Sequence, residues 1–273
     1  MSFDYIPYMR DNTLPHMWCP GCGIGVVMKS MIRAFDELEW DTRDIAVVSG
    51  IGCTSRAPGY LNANTLHTTH GRALAFATGI KMHRSDKHVV VISGDGDASA
   101  IGGNHLIHAA RRNIDITLIV NNNNIYGMTG GQYSPTTPLG TKAATAPYGN
   151  LEPPFDLAKL AVGAGASFVA RGHVGNGRQL TMFIKQAFAH KGFSFVEVVS
   201  NCHTQFGRRN KMADPMNMVK WISDRAKPLK KFEELSPEDQ AKSFPVGVLY
   251  HDENRSEYTD TYEKLIARLR ESA

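Results

Sequence analysis

Apolar residues gather in five short runs: "DIAVVSG" (44–50), "HVVVISG" (88–94), "DITLIVN" (115–121), "SFVARG" (167–172) and "FSFVEVV" (193–199). Each is rich in β-branched residues and lacks clean polar alternation, which predicts strands covered on both faces, as in a parallel sheet. Between the runs the apolar positions shift to three- and four-residue spacing. In "GVVMKSMIRAFDEL" (25–38) these positions are Val26, Met28, Ile32, Ala34 and Phe35. Helical patterns continue in "GRALAFATGIKMH" (71–83), "NHLIHAARR" (104–112), "FDLAKLAVG" (155–163) and "NGRQLTMFIKQAFAH" (176–190). Strand alternating with helix predicts an α/β fold with a doubly wound, mostly parallel sheet. Past residue 200 the rhythm stops. "PEDQAKSFPVG" and the charged "SEYTDTYEKLIARLRES" predict a C-terminal tail with one terminal helix. The chain thus divides into an α/β domain over 1–200 and an extension over 201–273. The extension carries the fourth cysteine and packs on the domain or on a partner.

In doubly wound sheets ligands gather at the carboxyl ends of strands, near the topological switch point. The loops there begin at Ser49, Ser93, Asn121 and Ser200. They read "SGIGCTSRAPGY", "SGDGDASAIGG", "NNNNIYGMTGGQYSPTTPLG" and "SNCHTQFGRRN". All four hold more Gly, Asn, Asp and Cys than a connection requires. In "ISGDGDA", Gly94 and Gly96 let backbone approach a phosphate, and the following helix start favours negative charge. Asp95 is itself negative, so a hard cation must stand between it and a phosphate, and Mg²⁺ is the usual one. The run Asn121–Asn124 supplies amide oxygens one strand later. A plain turn accounts for Gly-Asp-Gly alone, with Asn as a turn former, but not for the two features together. Neither GxGxxG nor GxxxxGK[ST] occurs, so the usual nucleotide-binding readings fall.

Composition adds exclusions. Of 273 residues, 42% are hydrophobic and 21% charged, as in an ordinary globular protein. The formal net charge of +4 is spread along the chain. That argues against nucleic-acid binding and suits docking of an acidic partner. "MSFDYIPYMRDNTLPHMW" lacks the basic-then-apolar order of a secretory leader. The longest apolar runs are strand-length, so no membrane span is expected and the expected location is cytoplasmic. Structural disulfides do not persist there. Cys19, Cys22, Cys53 and Cys202 are therefore ligands, catalytic thiols or core residues. A C-x₂-C pair plus two singletons suits a [4Fe-4S] cluster, whose thiolates come from separate segments. A Cys₄ zinc site has the same ligand count. Met28 and Met31 read as core packing.

Gly-Asp-Gly followed at this distance by Asn resembles the thiamine-diphosphate motif. Carried over, Asp95, Asn123 and the carbonyl of Ile125 bind Mg²⁺. Together with "WCPGCG", "SGIGCTSR", "HGRALAFATG" and "NIYGMTGGQYSPTTPLG", it resembles the β subunit of 2-oxoacid:ferredoxin oxidoreductases, in the 2-oxoglutarate branch. The resemblance runs from about residue 15 to about residue 210. It implies the thiamine-diphosphate-binding fold of the diphosphate type, thiamine diphosphate with Mg²⁺, and one [4Fe-4S] cluster on Cys19, Cys22, Cys53 and Cys202.

The implied reaction is CoA-dependent oxidative decarboxylation of 2-oxoglutarate to succinyl-CoA and CO₂, reversible, with electrons passing to ferredoxin. Pyruvate or a broad 2-oxoacid range is the alternative. A non-redox thiamine-diphosphate decarboxylase or synthase subunit with structural zinc is the rival class. Implied partners are an α subunit, or α and γ, in a dimer of heterodimers. Coenzyme A would be held partly by the partner. The resemblance also places Thr54, Ser55, His70, Gly71, Arg72, Gly94, Gly96, Asp97, Tyr126, Gly127, Met128 and Thr129 at the cofactor. It places Arg56 at a substrate carboxylate, which its bidentate fork suits. Gly130 stands where some relatives carry Lys. No second module here supplies the glutamate that thiamine enzymes set against the aminopyrimidine ring, so it is expected from the partner.

Overall fold

The structure is a computed structural model that describes residues 3–272. Its strands are β1 (Ile45–Ser49), β2 (Asn64–His67), β3 (His88–Gly94), β4 (Thr117–Asn122), β5 (Phe168–His173), β6 (Ser194–Val199), β7 (Ala226–Pro228) and β8 (Phe244–His251). They form one sheet in the order β2-β1-β3-β4-β6-β5-β8-β7. From β2 to β5 every pairing is parallel, while β8 runs antiparallel to β5. The five strands read from the sequence are β1, β3, β4, β5 and β6. They form the centre of the sheet and are almost wholly buried, as β-branched runs require.

The five sequence-predicted helices are α1 (Ile24–Glu37), α2 (Ala73–His83), α3 (Gly103–Arg112), α4 (Leu157–Gly163) and α5 (Gly177–Ala189). One core packs α1 and α5 against one face of the sheet, around Met31, Phe35, Ile92 and Ile184. A second packs α2, α3 and α4 against the other, around Leu106, Val91, Leu118 and Phe195. Met28 and Met31 are core residues, as expected.

Beyond residue 200 the chain does more than end in a tail with one helix. It adds α6 (Pro215–Arg225), α7 (Leu229–Glu233) and α8 (Pro237–Ala241) before the expected terminal helix, α9 (Tyr258–Glu271). It also adds β7 and β8, and β8 extends the main sheet beside β5. Among the described residues no helix is long and apolar enough to cross a membrane.

The strand order reverses between β1 and β3, so the crevice at their carboxyl ends is the switch point. The loop bearing Cys53 leaves β1 and the loop bearing Asp95 leaves β3. Parallel register sets Gly94 beside Asn121, which brings the Gly-Asp-Gly turn level with the Asn run.

Candidate functional site

Asp95 is buried, and its Oδ2 accepts hydrogen bonds from Ser134 Oγ at 2.5 Å and Thr136 Oγ1 at 2.6 Å. Burial pushes its carboxyl up to about 6, against the downward pull of those two hydroxyls. A buried carboxylate without a cationic partner fits a site built for a divalent ion. The cradle is close beside it. A side chain on Gly96 would stand 2.3 Å from the Tyr126 ring, and Tyr126 donates its hydroxyl to the Gly96 carbonyl at 3.1 Å. Gly130 and Gly131 both adopt positive φ, which lets the following loop turn back beneath Tyr126.

The Asn run divides its work. Asn121 Nδ2 donates to Thr54 Oγ1 at 3.2 Å, tying β4 to the loop after Cys53, while its Oδ1 is buried without a partner. Asn122 Nδ2 donates to Glu197 at 2.7 Å. Asn123 is buried and its Oδ1 accepts from the N–H of Ile125 at 3.3 Å, an Asx-type turn that closes over the next two residues.

Asp97 has a different task from Asp95. Its Oδ1 accepts from the N–H groups of Ile51 (3.1 Å) and Gly71 (2.7 Å), and its Oδ2 accepts from Ser93 Oγ at 2.6 Å. His70 Nδ1 stands 2.7 Å from the same carboxylate. Asp97 therefore gathers three loops behind the cradle, and it brings His70 and Gly71 to the edge of the site. Arg72 points outward and donates to the Ile101 carbonyl at 3.3 Å. Thr54 and Ser55 are buried, and Ser55 Oγ has no partner. Arg56 is exposed and makes no ion pair among the described residues. Met128 and Thr129 lie exposed at the tip of the glycine-rich loop.

The four cysteines are free and come together at one corner of this crevice. Thr204 Oγ1 lies 3.8 Å from the sulfurs of both Cys19 and Cys202. A side chain on Gly127 would lie 3.4 Å from Cys202 Sγ and 3.8 Å from Cys53 Sγ. Burial pushes the Cys22 thiol up to about 12; the Ile24 N–H opposes this, and the neighbouring Cys202, Cys53 and Cys19 add to it. Burial likewise raises Cys53. Thiols so hard to ionise need a metal's charge to become thiolates, so the donor set fits a cationic iron–sulfur core. The Trp18 indole donates to the Cys53 carbonyl at 2.8 Å and pins the first cysteine segment to the third cysteine. Among the described residues no three His, Cys, Asp or Glu side chains close around a point that one metal ion could occupy.

Sequence reasoning missed Ser134 and Thr136, which hold Asp95, and Glu197, which holds Asn122. The first two sit in "QYSPTTPLG" and look like turn formers. The third was visible as a lone charge in a covered strand.

Residues 50–198 match the family model described as "Thiamine pyrophosphate enzyme, C-terminal TPP binding domain". The chain is 51% identical over 265 residues to the 2-oxoglutarate synthase subunit KorB of Methanocaldococcus jannaschii, covering 97% of this chain and 98% of that one. It is 36% identical to the 2-oxoacid:ferredoxin oxidoreductase subunit beta of Saccharolobus solfataricus, covering 92% and 85% of the two chains. Among solved structures it is similar to a 2-oxoglutarate:ferredoxin oxidoreductase from Magnetococcus marinus with 2-oxoglutarate, coenzyme A and succinyl-CoA bound. That match has a TM-score of 0.86 and 34% identity over 98% of this chain and 91% of the other.

Proposed function

The chain belongs to the thiamine-diphosphate-binding β subunits of 2-oxoacid:ferredoxin oxidoreductases, and from that premise we propose its substrate, metals and partners. Its substrate is 2-oxoglutarate, converted with coenzyme A to succinyl-CoA and CO₂, and its electrons leave to ferredoxin. The names of its relatives and the ligands in the Magnetococcus marinus structure support that choice over pyruvate. One observation carries the redox reading: the sulfurs of Cys53 and Cys202 flank Gly127, in the loop that runs on from the Asn run. An electron acceptor held by those sulfurs would adjoin the site where decarboxylation leaves electrons behind.

When bound, thiamine diphosphate supplies the carbon nucleophile and electron sink, and a [4Fe-4S] cluster on Cys19, Cys22, Cys53 and Cys202 supplies the one-electron acceptor. The protein's own groups have separable tasks. Asp95, Asn123 and the Ile125 carbonyl are the groups that would hold Mg²⁺ for the diphosphate. Gly96 leaves room for Tyr126 and so keeps the two loops in one surface. His70 stands beside that surface with its Nδ1 2.7 Å from the Asp97 carboxylate. Arg56, exposed and in no ion pair among the described residues, would receive a substrate carboxylate.

The α partner covers the site, excludes water from it and supplies the glutamate that this chain lacks. Leu139, Tyr148 and Leu151, all exposed on the loop beyond the site, suit an apolar contact with it.

The test is anaerobic purification with the α partner, followed by iron, sulfide and thiamine assays and by CoA-dependent ferredoxin reduction with 2-oxoglutarate or pyruvate. The reading expects about four iron atoms per chain, bound thiamine diphosphate and a preference for 2-oxoglutarate. Asp95→Ala should lose the cofactor and keep the iron. Fresh material with zinc in place of iron would overturn the redox assignment.

A further inference from the structure

One face of the sheet carries Val120, Phe195 and Val169, all fully buried in an apolar core. Side chains of a strand alternate, so the next residues on that face are Asn122, Glu197 and Arg171. These are only 7%, 3% and 5% exposed. Register sets Arg171 beside Glu197, and sets Glu197 beside Val120 on the strand that ends at Asn122. The three polar side chains thus form a rung across β5, β6 and β4.

The rung is a continuous chain of hydrogen bonds. Arg171 donates Nη2–H to Asp156 and Nε–H to Glu197 Oε2, the latter at 2.8 Å. Asn122 Nδ2 donates to the other oxygen of Glu197 at 2.7 Å. Asn122 Oδ1, turned the opposite way, accepts from the Asn124 N–H at 3.2 Å and lies 2.9 Å from Thr136 Oγ1, whose one hydrogen is shared between it and Asp95. Thr136 reaches Asp95 at 2.6 Å.

A buried ion pair is poor value for stability, because apolar residues of similar size usually do as well or better. What this pair does is fix an orientation. With both Glu197 oxygens occupied, the Asn122 amide has one way to point. That direction sets the turn into Asn123 and Ile125 and places the Thr136 hydroxyl against Asp95.

We propose that Glu197, held by Arg171, is a positioning residue for the cation site, acting through Asn122 and Thr136 on Asp95 and the Asn123–Ile125 turn. This rests on the reading that Asp95 and that turn hold the Mg²⁺ of thiamine diphosphate. Glu197 touches neither the ion nor the substrate. Its effect is therefore on how tightly the ion is held.

The experiment uses the complex with the α partner and follows thiamine diphosphate binding by calorimetry while Mg²⁺ is titrated. Glu197→Gln keeps the size but presents an NH₂ group to Asn122 or Arg171, both of which are donors there. The apparent Mg²⁺ dissociation constant should rise about 10- to 100-fold, the usual cost of removing an outer-shell partner. Iron content should not change. Thr136→Val removes only the hydroxyl that joins Asn122 to Asp95 and should move the constant in the same direction. Asn122→Ala, which cuts the link to Glu197 and leaves the direct Thr136–Asp95 bond in place, decides the matter if Glu197→Gln does not fold. Variants that fold and bind Mg²⁺ within about twofold of the parent overturn the proposal, leaving the rung a purely structural role. A parent complex with no Mg²⁺-dependent cofactor binding overturns the functional reading itself.

Discussion

The Tyr126 ring fills the space that a side chain on residue 96 would need. A Cβ there would lie 2.3 Å from two ring carbons, and the Tyr126 hydroxyl is bonded to the Gly96 carbonyl. The Gly-Asp-Gly turn and the loop after the Asn run are therefore one packed surface. Gly96→Ala must displace the ring, an overpacking cost of about 1–3 kcal/mol. Tyr126→Phe removes one hydrogen bond and costs about 1 kcal/mol. Thermal melts of the purified chain should rank parent, Tyr126→Phe, Gly96→Ala in falling order. Cofactor affinity should drop most for Gly96→Ala. Equal melts for Gly96→Ala and the parent would mean that the loops are not packed in this way.

Asp95 and Asp97 should respond oppositely when changed to Asn. Asp97 accepts from two backbone N–H groups and a serine hydroxyl, so an amide in its place keeps one oxygen for the N–H groups but gives up the charge that strengthens those bonds and obliges the Ser93 hydroxyl to turn from donor to acceptor. The expected loss is about 2–3 kcal/mol, that of a bond to a charged group. Asp95 is the reverse case, because burial raises its carboxyl to about 6. Its unfolded counterpart ionises near 3.9. As pH rises from about 4 to about 6 the unfolded chain releases its proton first, so stability falls across that window and stays lowered above it. The full effect is on the order of 3 kcal/mol. In metal-free protein Asp95→Asn should melt above the parent at about pH 7.5, with the difference shrinking as pH is lowered towards 4. Mg²⁺ with thiamine diphosphate should reverse the ranking, because only the parent carboxylate gains a cation. A variant that melts below the parent at neutral pH without metal would contradict this account.

The central strands and five helices were legible because a covered parallel strand must be a β-branched run and a packed helix must carry an apolar stripe. β2 was not, because "NTLH" is a short, largely exposed edge strand. β8 was not, because "FPVGVLYH" interrupts its run with Pro245 and Gly247, although the strand lies between β5 and the three-residue β7. At the site, Asp95 and the cysteines were legible because their chemistry is conspicuous in a loop. Thr136 was not, since its contact with Asp95 spans 41 residues and depends on where the loop returns. Glu197 was the available signal not taken up: a lone carboxylate in "FSFVEVV" must find a buried partner. Asp97 could not be told from Asp95, because two residues of sequence separate opposite duties.

The loop beyond the site gives a prediction about assembly. Tyr148 is 100% exposed, Leu151 89% and Leu139 63%. Exposed positions of this kind contribute little to the fold, so Leu151→Asp should leave the melt of the isolated chain within about 0.5 kcal/mol. Against an apolar partner surface, a buried charge should weaken association by about 2 kcal/mol or more, the scale of a hot spot. Calorimetric titration of the α partner into the two chains measures the difference. Unchanged affinity would place the partner elsewhere.

Gly127 separates bare thiols from thiols that share an inorganic core. An alanine methyl would stand 3.4 Å from Cys202 Sγ and 3.8 Å from Cys53 Sγ, which is ordinary contact with sulfur alone. The glycine does not adopt positive φ, so the backbone accepts alanine there. The cluster-free chain should therefore tolerate Gly127→Ala, or gain about 0.4–1 kcal/mol from a stiffer unfolded state. A core that bridges Cys53 and Cys202 must occupy the space in front of residue 127, and there the methyl intrudes. Anaerobically purified Gly127→Ala should carry less iron than the parent and lose its visible absorbance several-fold faster in air, while the melt of the cluster-free form is unaffected. Cys202→Ala should carry no cluster. If Gly127→Ala holds its iron as firmly as the parent, whatever the four sulfurs bind does not reach across the gap between Cys53 and Cys202.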